Sequence, residues 1–105
     1  MPLAKKILKM LIYVDIDGTI CITKDGKYKQ SVPIYSNIAK INKLYDEGNT
    51  IVYWTARGAV SGIDWTDLTR KQLKRWGARH HDLRMNSKPH YDLLICDKTK
   101  RIEEV

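Results

Sequence analysis

Five side chains in this 105-residue chain are spaced for joint chemistry. Asp15 and Asp17 bracket an isoleucine at the end of an apolar run, Thr55 closes a second such run, Asp97 follows a third, and Lys88 lies a few residues before that third run. In an open parallel sheet, ligands bind just beyond the carboxyl ends of the strands. If the three runs are parallel strands, three carboxylates, a hydroxyl and a lysine meet at one edge. Carboxylates this close repel one another unless a cation lies among them, and a set of hard oxygen ligands suits Mg²⁺. Thr55 alone would read as a turn former and Lys88 alone as a surface lysine. Their order relative to the acids sets them apart.

Those residues need elements to hold them. Residues 7–16 (ILKMLIYVDI) read as a buried strand that stops at the turn signal Asp17-Gly18. Residues 19–30 contain two short alternating runs joined at Asp25-Gly26, which predicts a small β-hairpin directly after the first strand. Pro33 then opens a segment in which Ile34, Ile38, Ile41 and Tyr45 recur at helical spacing, with Leu44 beside them and Gly48 as the stop. Residues 50–54 (TIVYW) form the second buried strand. Strand, helix, strand in this order implies a parallel pair with a right-handed crossover. A second helix spans 64–76, with Trp65, Leu68, Gln72, Leu73 and Trp76 on one side and the basic Arg70, Lys71, Lys74 and Arg75 on the other, and Gly77 ends it. Residues 84–85 predict a very short strand and 91–96 (YDLLIC) another buried one. The alternation predicts an α/β, three-layer, mostly parallel domain.

Composition narrows the function. A chain of this length with 43% apolar and 30% charged residues supports one core and one domain, so no separate lid is expected within it and disorder is excluded. Nineteen basic against twelve acidic residues give +7, spread between the halves as +3 and +4. The basic helix face reads as a solvated surface, and the overall charge as attraction toward anionic substrates. The start of the chain shows no secretory pattern, only two cysteines occur, and the apolar run 10–14 is far short of a membrane span. The expected compartment is the cytoplasm, without membrane contact.

Asp15-Ile16-Asp17-Gly18-Thr19 resembles the DxDG[TV] signature of the haloacid dehalogenase superfamily, most of whose members are Mg²⁺-dependent phosphohydrolases on a Rossmann-like fold. Thr55 is similar to that family's motif II hydroxyl, Lys88 to its motif III lysine and Asp97 to its motif IV acid, so the resemblance covers roughly residues 10–98. The runs 54–57 (WTAR), 72–77 (QLKRWG) and 88–92 (KPHYD) are most similar to a small capless group, the predicted capsule biosynthesis phosphatases. One departure is that motif IV presents a single acid, Asp97, followed by Lys98, where the family often has two.

The resemblance implies a mechanism. Asp15 would attack phosphorus and form an aspartyl-phosphate, dividing one displacement into two. Gly18 would turn the chain so that Asp17 serves as general acid and then general base. Thr55 and the Ala56 N–H would bind a phosphoryl oxygen, Lys88 would hold the phosphate, and Gly18, Thr19 and Arg57 would join Ala56 in contacting substrate. Mg²⁺ would be held by Asp15, Asp97 and the Asp17 carbonyl. With only a hairpin flap after the first strand and one helix before Lys88, the site would be open, admitting a large substrate or being completed by a second copy in a homo-oligomer.

The favoured substrate is a small phosphorylated metabolite such as a sugar phosphate. A nucleotide or nucleic-acid end is the rival within phosphatases, and a non-enzymatic phospho-receiver switch the rival outside them. His80, His81 and Asp82 read as loop residues rather than a zinc site, since adjacent histidines diverge. His90 stands near Lys88, and Cys96 reads as a small core side chain.

Overall fold

In the computed structural model, residues 9–86, 93–95, 102 and 105 are described. The first apolar run forms strand β1 (Leu11–Asp15), followed by a tight turn and two short strands, β2 (Cys21–Ile22) and β3 (Val32–Pro33). Helix α1 (Tyr35–Asp46), strand β4 (Thr50–Thr55), helix α2 (Thr66–Arg75) and strands β5 (Asp82–Met85) and β6 (Leu93–Ile95) complete the order. The main sheet runs β5-β4-β1-β6 with every pair parallel. From β1 the chain winds outward through β4 to β5, then places β6 on the other side of β1. This reversal opens a crevice beyond the carboxyl ends of β1 and β6, where such folds bind ligands. The architecture is the α/β, mostly parallel domain that the alternation predicted, and it fits the small Rossmann-like fold that the resemblance implied.

Strand register explains the core. Ile12 sits opposite Ile51 and Leu93, Val14 opposite Tyr53 and Ile95, and Tyr53 opposite Leu83. These residues share one face of the sheet. Ile38 and Ile41 of α1 and Leu73 of α2, with Trp76 at its end, join the same apolar cluster, so both helices cover that face. Tyr13 and Val52 on the opposite face are also buried. Burial on both faces is why the central strands read as continuous apolar runs rather than alternating ones.

Helix ends follow the sequence closely. Beyond α1, the Gly48 N–H reaches the Tyr45 carbonyl and the Asn49 N–H that of Leu44. Beyond α2, Gly77 and Ala78 repeat the pattern on Lys74 and Leu73. Both are Schellman caps with glycine just past the helix.

Some boundaries differ from expectation. The return strand of the hairpin is Val32–Pro33, outside residues 19–30, because the chain after the Asp25-Gly26 turn coils into one 3₁₀ turn (Tyr28–Gln30) before pairing. Pro33 therefore belongs to β3 rather than to the first turn of α1, at a strand end where its missing N–H costs little. Helix α2 begins at Thr66, whose N–H is accepted by Asp64 Oδ1 at 2.9 Å, so Asp64 precedes the helix rather than entering it. Strand β5 has four residues, not two. Its Asp82 and Arg84 are exposed and pair at 2.9 Å, keeping charge on an edge strand. No helix among the described residues is long and apolar enough to cross a membrane.

Candidate active site

Asp15 is the last residue of the central strand β1 and is half-buried. The Ile16 N–H turns back onto its Oδ1 at 2.9 Å, ending the strand one residue earlier than the apolar pattern suggests. The chain then coils tightly. Thr19 and Ile20 donate their N–H groups to the Ile16 carbonyl, and Gly18, with φ of 86°, donates to Cys21. That turn brings the Asp17 side chain toward β4 instead of leaving it on the far side of the strand.

Asp17 meets Arg57 there. Arg57 Nε donates to Asp17 Oδ2 at 3.0 Å and Nη2 to Oδ1 at 2.8 Å, a bidentate pair, while the Thr23 hydroxyl donates to Oδ1 at 2.7 Å. Burial would raise the Asp17 carboxyl, but the Arg57 and Thr23 hydrogen bonds and the guanidinium charge outweigh it and hold the group below its ordinary value of 3.8. Asp17 is therefore a carboxylate, with its acceptor capacity concentrated on Oδ2. As a general acid it would first have to take up a proton against Arg57.

Arg57 does not face solvent. It is 1% exposed, and its other donors are used inside the protein: Nη1 reaches Thr69 Oγ1 (3.1 Å) and Gln72 Oε1 (2.6 Å), and Nη2 also reaches Ser31 Oγ (3.3 Å). The Tyr28 ring packs on the guanidinium, 4.8 Å from centroid to Cζ. All five N–H groups of the fork thus have protein partners. The expected substrate contact by Arg57 is replaced by an internal one, joining the β1 turn, the hairpin and α2. No spacing or motif in the sequence points to Thr23, Ser31 or Thr69 as partners of this pair. The one usable signal was Gln72, an amide on the otherwise apolar side of α2.

The other expected residues separate. Thr55 is buried at the end of β4, and its Oγ1 accepts the Arg57 N–H at 3.1 Å, fixing the loop that follows. Ala56 is exposed at the lip of that loop. Asn86, oriented so that its amide donates, lies 3.1 Å from the Ala56 carbonyl and 3.3 Å from that of Arg57. Thr19 is completely buried, and its hydroxyl has no partner among the described residues. Its side chain is packed under the turn rather than presented to a substrate. Gly18 is exposed at the turn. Lys88, His90, Cys96 and Asp97 lie outside the described residues.

Cys21, beneath the same turn, is buried, and burial together with the Asp17 charge pushes its thiol up to about 11. His81 Nδ1 accepts the Ile51 N–H at 3.0 Å and its ring stacks on Tyr45, while His80 lies edge-on to Tyr53. These histidines pack and cap. Arg70, Lys71, Lys74 and Arg75 are all exposed along α2.

The sequence argument for a cation among the acids changes accordingly. For Asp17 the compensating charge is the Arg57 guanidinium. Asp15 and the Asp17 carbonyl are hard oxygen donors of the kind that hold Mg²⁺. Among the described residues no group of three His, Cys, Asp or Glu side chains converges, so a complete coordination sphere would draw on Asp97 as well.

The chain matches no protein-family model, and no curated protein matches it. Among solved structures, the crystal structure of an MCSG target from Vibrio cholerae is similar, with a TM-score of 0.67 and 21% sequence identity over 78% of this chain and 72% of that one. At this identity the likeness bears on the fold alone. The chain shares its α/β architecture with that protein.

Proposed function

We propose that this protein is a phosphomonoester hydrolase in which Asp15 is the phosphoryl acceptor and Asp17 moves the proton. The observation that carries the proposal is a half-buried carboxylate closing the central strand at the sheet's switch point, two residues before a second carboxylate that is paired with a buried arginine. Asp15, at the carboxyl end of β1, is the acid assigned to bond with phosphorus. Its oxygen bonds to phosphorus as the ester P–O bond breaks, and the alcohol leaves with a proton supplied by solvent or by Asp17 once it has taken one up at Oδ2. A water oxygen next attacks phosphorus, the Asp15 O–P bond breaks, and inorganic phosphate leaves.

Asp17 Oδ2 is the atom at which a proton would be exchanged. Held as a carboxylate, Asp17 starts as a base, which suits activation of that water. Mg²⁺, held by Asp15, the Asp17 carbonyl and Asp97, would lessen the repulsion between the anionic ester and Asp15. Small phosphorylated metabolites are the proposed substrates.

The test is hydrolysis of a generic aryl phosphate in the presence of Mg²⁺. Asp15→Asn is expected to abolish turnover while leaving the melting transition in place. Unchanged turnover in that variant would remove Asp15 as nucleophile.

A further inference from the structure

We infer that the groove between the hairpin and the loop after β4 is a subsite for a planar, uncharged aromatic leaving group on the phosphate ester. The inference rests on the phosphatase reading and names the substrate class. The groove holds about 280 Å³ and is walled by Tyr28, Ala56, Ala59, Val60, Ile63 and Trp65, with glycines and Ser61 completing it. None of its lining residues is charged. Two other concavities among the described residues are lined in part by lysines, at Lys24 and Lys27 and at Lys40 and Lys43.

Position ties the groove to the chemistry. Ala56, at its lip, directly follows Thr55, and β4 is hydrogen-bonded to β1, whose last residue is Asp15. Tyr28, on its wall, packs on Arg57, so a single guanidinium separates that ring from the Asp17 carboxylate. An ester with its phosphate at Asp15 would direct its leaving group along this edge.

Lining chemistry selects the group. Tyr28 and Trp65 meet edge-to-face, with centroids 5.1 Å apart and planes at 72°, an arrangement to which a third ring can add. Val60 is fully exposed (102%) and Ile63 half so (53%), yet the loop carrying them is ordered by its own bonds. Ala59 N–H donates to the Ala56 carbonyl and Gly62 N–H to that of Gly58, both at 2.9 Å. A sugar ring would set several hydroxyls against these aliphatic side chains, which offer them no hydrogen-bond partner. The side-chain hydroxyls on the wall are those of Tyr28 and Ser61, and the latter already accepts the Ile63 N–H at 3.2 Å. A second anionic group would find no counter-charge in the lining.

The experiment separates this subsite from the reaction. Calorimetric titrations with Mg²⁺ present compare benzylphosphonate, methylphosphonate, adenosine 5′-monophosphate and glucose 6-phosphate on the wild type and on Val60→Asp and Trp65→Ala. Ring burial is expected to make benzylphosphonate or the nucleotide bind at least about tenfold more tightly than methylphosphonate and glucose 6-phosphate. The tighter of the two ring ligands identifies the aryl or the nucleobase source. Either substitution is expected to erase that gain without changing methylphosphonate binding, and Val60→Asp, at a fully exposed position, is expected to leave folding intact. Equal binding of all four ligands, or a gain that survives Val60→Asp, would overturn the subsite. Ring-selective binding without hydrolysis of any ester would leave the subsite standing and remove the phosphatase reading. Hydrolysis without ring selectivity would do the reverse.

Discussion

Arg57 gives every donor of its guanidinium to a partner within the protein, and that decides how the neighbouring acid behaves. It is buried, whereas the Asp17 side chain keeps 29% of its exposure, so loss of either partner leaves the other with a charge in a poorly solvated place. Arg57→Ala is expected to destabilise the fold by about 3 kcal/mol or more, and Arg57→Lys by nearly as much, because an ammonium cannot reproduce the planar fork. Chemical denaturation of both variants checks this; a change within about 0.5 kcal/mol, the range of ordinary surface substitutions, would contradict it.

The same pair sets an acid limb of stability. The folded pKa of Asp17 lies below its unfolded value of 3.8, so its contribution is complete above 3.8 and is lost as pH falls through the lower folded value. Denaturation midpoints followed downward from about pH 5 should fall more steeply in the wild type than in Asp17→Asn, which has no such group to protonate. Asp15, Asp17 and Thr55 were legible in the sequence because each closes or follows an apolar run. The inward direction of Arg57 was not, since its partners come from segments up to 40 residues away and a basic side chain on a loop is ordinarily solvated.

At the scale of elements, the hairpin shows what local signals carry. The Asp25-Gly26 pair does form the turn, with φ of 53° and 67° and the Lys27 N–H bonded to the Lys24 carbonyl at 3.0 Å, as a type I′ turn requires. Where the chain pairs afterwards depends on tertiary contacts. Gln72 Nε2 donates to the Tyr28 carbonyl at 2.6 Å and so ties the 3₁₀ turn to α2, a constraint that no local pattern contains.

The loop after β4 is fixed in a comparable way. Gly58 has φ of 86°, and a Cβ there would lie 2.1 Å from the Ile63 carbonyl oxygen, whereas a Cβ on Gly62 would meet nothing within 4 Å. Gly58→Ala is therefore expected to cost about 2 kcal/mol or more, and Gly62→Ala only the backbone strain of roughly 1 kcal/mol. Melting curves of the two variants measured together test the difference. Equal losses would mean that the loop relaxes and does not hold the groove in shape.

For the molecule as a whole, the parallel pairing of β1 with β4 was legible, because a strand-helix-strand run closes by a right-handed crossover. The order β5-β4-β1-β6, with its reversal at β1, was not, because no local pattern says on which side of β1 the last strand pairs. Charge was less informative than its total suggests. Arg57 is neutralised internally, Arg79 pairs with Asp46 at 2.6 Å, and the four basic residues of α2 face solvent. A small ester that meets an uncharged groove should show a KM that changes by no more than about threefold between 50 and 200 mM salt, whereas a polyanionic substrate contacting several basic side chains would lose orders of magnitude in affinity. A steep salt slope would move the substrate class to nucleic-acid ends.

The central claim is that Asp15 accepts the phosphoryl group, and peptide mapping by mass spectrometry after acid quench of the wild type turning over an aryl phosphate with Mg²⁺ tests it most directly. The expected result is one added phosphoryl group on the peptide containing Asp15, lost in Asp15→Asn together with turnover. Hydrolysis that continues in Asp15→Asn, or a phosphoryl group carried by a different residue, would contradict the account.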